Sequence, residues 1–103
     1  MATGTTAIEQ AKQFIKDCLK SGIQLSSAYL YGSYAKYTAR EDSDIDVLLV
    51  SNQFSNNRLK DVNLYANINI HYPKIEVFPC SSKKFNSNDE FVNEIMKNSI
   101  KLI

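Results

Sequence analysis

Apolar residues first recur at helical spacing in Ile8, Ala11, Phe14, Ile15, Cys18 and Leu19, which predicts a helix over about 7–21 with one face on a core. Thr6, with Glu9 three positions later, has the form of a capping box, and Gly22 can close the helix in a left-handed turn. The pattern then shortens. The run SAYLY at 27–31 alternates aromatic and aliphatic side chains, which suits a buried strand ending at Gly32. Residues 33–39 contain no breaker and read as one or two helical turns, and 40–43 read as a polar turn. A second strand follows over 44–50. Its last four residues, Val47 to Val50, are continuously apolar, as in a central strand covered on both faces.

Residues 51–57 are rich in Ser and Asn and read as a loop. Leu59, Val62, Leu64, Tyr65 and Ile68 then give a weaker helical pattern, diluted by Asn63, Asn67 and Asn69, and a strand over 64–70 stays open as the alternative. The run KIEVF at 74–78, between Pro73 and Pro79, is read as a third strand. After a loop over 81–87, Ser87 or Asn88 is expected to cap a last helix that turns Phe91, Val92, Ile95 and Met96 to the core. The apolar tail Ile100–Ile103 must dock. The order is helix, strand, helical turn, strand, helix, strand, helix. It predicts an α/β (α+β) fold with a small mixed β-sheet flanked by helices.

At 103 residues the chain is expected to form one domain over 1–103, because two halves would each bury too little surface. An apolar share of 44% and a charged share of 22% are ordinary for a globular protein, and a net charge of +1 leaves no electrostatic footprint for duplex DNA. No stretch approaches the roughly 18 consecutive apolar residues of a membrane helix. Residues 1–6 also lack the basic and apolar regions of a signal peptide, so a cytoplasmic location is expected. Cys18 and Cys80 have neither zinc-ligand spacing nor a histidine cluster and are read as buried or half-buried thiols in a reducing compartment. His71, the single histidine, has no orienting partner nearby in sequence and is read as a loop or strand-edge residue.

Three features carry chemistry: Gly32-Ser33 after a strand, Asp44-x-Asp46 at the mouth of the next, and Glu76 inside the third. Alternation along a strand puts Asp44 and Asp46 on one face, with Ile45, Val47 and Leu49 on the other. Two adjacent carboxylates repel, and a hard divalent cation such as Mg²⁺ relieves the repulsion. Glycine permits close approach of a ligand to the backbone, and the free N–H groups of a following turn suit phosphate oxygens, with the Ser33 hydroxyl as a further donor. Glu76 joins the two aspartates if its strand neighbours theirs, and three carboxylates can hold two ions roughly 3.5–4 Å apart, the arrangement used in nucleotidyl transfer. Tyr29, Tyr31, Tyr34 and Tyr37, interleaved with Lys36 and Arg40, read either as a stacking surface or as sheet packing and site lining.

The string GSYAKYTAREDSDID resembles the signature of the minimal nucleotidyltransferase domain, the smallest branch of the DNA polymerase beta superfamily: Gly-Ser, a variable turn, Asp-x-Asp, and a third acid on a later strand. The match runs from the first strand through the third. It implies a mixed sheet, a nucleoside triphosphate as substrate and two Mg²⁺ ions. Asp44, Asp46 and Glu76 are then the catalytic and metal-binding residues, and Gly32, Ser33, Lys36 and Ser43 the nucleotide-binding ones. Glu76 would also help deprotonate the acceptor hydroxyl. Members are often paired with a HEPN toxin, and some transfer AMP from ATP to a toxin tyrosine. Tyr37 stands where members commonly carry glycine, at a cost of ~1 kcal/mol if that position is left-handed. The expected function is therefore AMP transfer to a partner tyrosine by an antitoxin, with the acceptor supplied from outside the chain. Two alternatives stand beside it: an antitoxin that works by docking alone, and transfer to a small molecule such as an aminoglycoside. Oligomeric state and base preference are left open.

Overall fold

The computed structural model describes residues 4–36, 38–40 and 43–103. Its elements are α1 (Gly4–Lys20), β1 (Leu25–Tyr31), β2 (Ile45–Ser51), α2 (Arg58–Asn69), β3 (Ile75–Ser81), α3 (Ser82–Phe85), α4 (Glu90–Met96) and β4 (Ile100–Lys101). The four strands form one mixed sheet in the order β3-β2-β1-β4. β1 is antiparallel to β2 and β4, and β2 runs parallel to β3 across the α2 connection. This is the small mixed sheet flanked by helices that the apolar pattern predicts.

The sheet sorts its side chains by parity. Ala28, Leu30, Ile45, Val47, Leu49, Ile75 and Val77 point to one face and are covered by Ala7, Ala11, Phe14, Ile15 and Cys18 of α1 and Tyr65 of α2. Tyr29, Leu48, Val50 and Cys80 point to the other and meet Val92 and Ile95 of α4. β2 is thus buried on both faces, and five of its residues are 0% exposed. Cys18 and Cys80 are both free and buried, as read.

α1 ends in a Schellman motif: Ile23 N–H donates to the Cys18 carbonyl and Gly22 N–H to that of Leu19, with Gly22 at φ +102°. Its start departs from the reading, because Thr6 lies inside the helix and so cannot be its N-cap. Leu19 is 44% exposed and leaves the apolar face. α2 is a helix despite its asparagines. Asn57 caps it by accepting the Lys60 N–H, and Tyr65 packs edge-on against Phe54.

β3 extends beyond its expected end. Pro79 stays within the strand because β3 is an edge, and residues of its parity turn their main-chain groups outward, where a missing N–H costs nothing. That edge is closed by side chains. Arg58 Nη2 donates to the Val77 carbonyl at 3.1 Å, and Asn56 accepts the Ser81 N–H at 3.3 Å. Two further corrections follow in the same region. Residues 82–85, expected as loop, form α3, capped by Ser81 and held by stacking of Phe85 on Tyr29. α4 is capped by Asp89, not Ser87 or Asn88, and Phe91 is 52% exposed although the pattern turned it inward. The tail docks as β4 on β1, burying Leu102.

Two tyrosines differ in how the hydroxyl is satisfied. The buried Tyr34 hydroxyl has no partner among the described residues, whereas the half-buried Tyr72 donates to Asp17 and packs on Phe14. Tyr34→Phe is therefore expected to raise unfolding stability by about 1 kcal/mol and Tyr72→Phe to lower it by about 1 kcal/mol, measured by urea denaturation.

Candidate functional site

The face under α3 and α4 changes character at one end. It is apolar at Leu48 and Val50, and one step nearer the N-terminal end of β2 it turns acidic, where the helical cover stops. The register sets three side chains in a row. Tyr31 of β1 is opposite Asp46 of β2, and Asp46 is opposite Glu76 of β3. Asp46 is half-buried, Glu76 is exposed, and Asp44 is exposed just before β2 rather than within it.

The turn after β1 presses its backbone against this row. Gly32 has φ +75°, and a Cβ built there would lie 2.2 Å from Asp46 Oδ2. No L side chain fits that position. The turn continues with the Lys36 N–H bonded to the Gly32 carbonyl and the Thr38 N–H to the Ser33 carbonyl, and buried Tyr34 and Ala35 anchor it. The segment over 32–36 is a hydrogen-bonded turn and not a helix, where one or two helical turns over 33–39 are expected from the sequence.

The candidate residues separate into groups. Gly32, Asp46 and Glu76 are brought together, and Asp44 acts on Asp46 through its charge. Ser33 is half-buried at the start of the turn. Lys36 is exposed and within the electrostatic reach of Glu94 on α4. Ser43 is tied to Arg40: its Oγ accepts the Arg40 N–H at 2.8 Å and its N–H donates to the Arg40 carbonyl. Tyr37 lies outside the described residues. His71 is exposed in the turn before β3 and takes no part in the row.

Charge crowding shows in the titration of Asp46, which is pushed up to about 6 by burial first, then by Glu76 and Asp44. Tyr31, read from sequence as sheet packing or part of a stacking surface, is half-buried beside it and held up at about 12 by burial first, then by Asp46 and Glu76. Arg58 opposes that rise. Both residues were missed as members of the site. For Tyr31 the signal was its place immediately before Gly32, whereas nothing in the chain marks Arg58 except its position at the start of a weak helix.

Among the described residues no three His, Cys, Asp or Glu side chains are gathered at metal-binding spacing. The donor set nonetheless suits a hard cation: a half-buried carboxylate raised by two acidic neighbours, all three offering oxygen ligands. The arrangement combines a close backbone approach at Gly32 with an acidic row that gains from a bound cation.

A nucleotidyltransferase-domain family matches residues 8–102, nearly the whole chain, and the protein belongs to that family. Its fold is similar to a Sulfolobus solfataricus protein assigned as a nucleotidyltransferase (TM-score 0.72, 16% identity, covering 95% of this chain and 80% of that one). It is also similar to a chain of a toxin-antitoxin complex with AMP-PNP (TM-score 0.63, 19% identity, 89% and 72% covered). A third similarity is to a chain of a tri-AMPylated Shewanella oneidensis HEPN toxin in complex with MNT antitoxin (TM-score 0.55, 13% identity, 98% and 72% covered). No curated protein matches by sequence.

Two outcomes are expected from this geometry. Gly32→Ala forces a Cβ into the Asp46 carboxylate and lowers the melting temperature, read by calorimetry. The second concerns pH. Because Asp46 is raised from 3.8 to about 6 on folding, the folded state holds its proton longer, so the metal-free protein loses stability as pH rises from about 4 to about 6. Asp46→Asn removes that loss and gains on the wild type above pH 6 but not at pH 4. Mg²⁺ stabilises the wild type at pH 8 and the variant far less.

Proposed function

We propose that this chain is a single-domain, Mg²⁺-dependent nucleotidyltransferase. It moves AMP from ATP to a hydroxyl of a partner protein, a tyrosine of a HEPN toxin, and so acts as a cytoplasmic antitoxin. The observation that carries the reading is the Asp46 carboxylate, in register with Glu76 and pressed against the backbone of Gly32. The similar chains support it: one comes from a toxin-antitoxin complex with AMP-PNP and another from a complex whose HEPN toxin is AMPylated.

Asp44, Asp46 and Glu76 are the residues that would hold divalent ions, which supply charge neutralisation on the triphosphate and lower the pKa of the attacking hydroxyl. The chain itself does the following. Gly32 and Ser33 receive phosphate oxygens at the turn, the one by leaving its backbone bare and the other by its hydroxyl. Lys36 offsets phosphate charge from the exposed side, and Ser43, bonded to the Arg40 N–H, precedes Asp44. Glu76 takes the acceptor proton as the acceptor oxygen displaces pyrophosphate from the α-phosphorus. Tyr31, kept neutral by burial beside the carboxylates, walls the row on its β1 side.

Incubation with α-labelled ATP, Mg²⁺ and a HEPN partner is the test. Label is expected on the partner, on a tyrosine, with Asp46→Asn and Glu76→Gln each reducing the rate by at least roughly 100-fold. Unlabelled partner, or labelling indifferent to both substitutions, would overturn the reading. A toxin silenced equally well by the wild type and by the acid-free variant would replace catalysis with docking.

A further inference from the structure

The strand order sets Gly32 and Glu76 on opposite flanks of Asp46, because β1 and β3 lie on either side of β2. The β1 flank is filled by the turn over 32–36, with Tyr34 and Ala35 buried in it. A second substrate therefore has the β3 flank. On that flank Phe78, two residues beyond Glu76 and on the same face, is half-buried, with its ring 5.2 Å from that of the exposed Phe91. Arg58 and Lys84 lie 5.6 and 5.7 Å from the centre of the Phe78 ring. Phe78, Arg58 and Lys84, with Asn56, Pro79 and the buried Asp61, line a hollow of about 70 Å³, and the outer face of α4 beside Phe91 adds a broad depression of about 590 Å³.

The main chain of this edge is not open to strand addition, since Arg58 and Asn56 occupy it and Pro79 has no N–H to offer. Recognition there must come from side chains. Charge is divided across the aromatic pair. Arg58 and Lys84 stand on the β3 and α3 side, while Glu90 and Glu94 stand on the α4 side, Glu94 being paired with Lys97 at 2.9 Å.

We propose that Phe78 and Phe91 are the platform on which the acceptor docks. The acceptor is a polypeptide segment that lays its hydroxyl-bearing aromatic residue over them and directs an acidic residue to Arg58 and Lys84. This rests on the transferase reading above and adds the entry side and the charge of the segment. Docking is polar in register: the acidic flank belongs on the β3 side, and the flank facing Glu90 is neutral or basic.

The test uses three fluorescein-labelled peptides with a central tyrosine, flanked on one side by aspartates, glycines or lysines. Each is titrated by anisotropy against the whole protein with Mg²⁺. The aspartate peptide is expected to bind about 10-fold tighter than the lysine peptide, with the difference fading at high salt. Lys84→Glu reverses the order, a gain for the lysine peptide that misfolding could not produce, and Phe91→Ser weakens all three. Equal binding of the aspartate and lysine peptides, or a preference unchanged by Lys84→Glu, overturns the docking surface. Binding preference without labelling from α-labelled ATP leaves the surface standing and removes the transferase reading. Labelling without charge preference does the reverse.

Discussion

The contact between the bare Cα of Gly32 and the Asp46 carboxylate is the constraint to which the rest of the site conforms. It holds the turn after β1 against the first exposed step of β2, so any ligand that touches the turn also meets the acid. The positive φ of Gly32 and the absent Cβ are two aspects of one requirement: the chain must reverse direction in the space that a side chain would fill. Hydrogen bonds from Lys36 and Thr38 back to Gly32 and Ser33 then secure the reversal, and burial of Tyr34 and Ala35 fastens it to the core.

Around this contact the sheet divides its labour by face. One face is sealed by α1 and α2 over its length and carries most of the apolar burial. The other is covered by α3 and α4 only from Leu48 onward, which leaves the Tyr31, Asp46 and Glu76 row at the uncovered end. Partial burial there raises Asp46, because the carboxylate loses water while two acids remain near it. The site is thus destabilised by its own charges in the absence of a cation, as expected of a surface kept for binding rather than for stability. The likeness to structures at 13–19% identity shows how little of the sequence the fold needs. The family match over residues 8–102 places nearly the whole chain in the nucleotidyltransferase-domain family.

Much of this was legible in the residues. Helical spacing from Ile8 to Cys18, the SAYLY and DIDVLLV runs and KIEVF located α1, β1, β2 and β3, because burial periodicity is a local property of the chain. The Gly32-Ser33 step and the Asp44-x-Asp46 pair were visible for the same reason. Errors fell where a neighbour decided the outcome. α3 is four residues that no propensity would hold, and it exists because Phe85 stacks on Tyr29. Pro79 ends a strand in general but not one whose N–H side faces outward. Phe91 fits the inward pattern of its helix, yet it meets Phe78 at the rim rather than in the core.

What the sequence by itself determined was the placing of α1, β1, β2 and β3, the parity that puts Ile45 and Val47 on the side opposite Asp46, and the residue types able to bind phosphate and cation. Each of these follows from spacing within one segment. Only the tertiary structure decided that β3 lies parallel beside β2 in a register that sets Glu76 against Asp46, that Tyr31 completes the row, and that Arg58 reaches the Val77 carbonyl. Those relations depend on which strands pair and how far each is shifted. Pairing is chosen by the summed burial of the whole sheet, a quantity that no single segment contains.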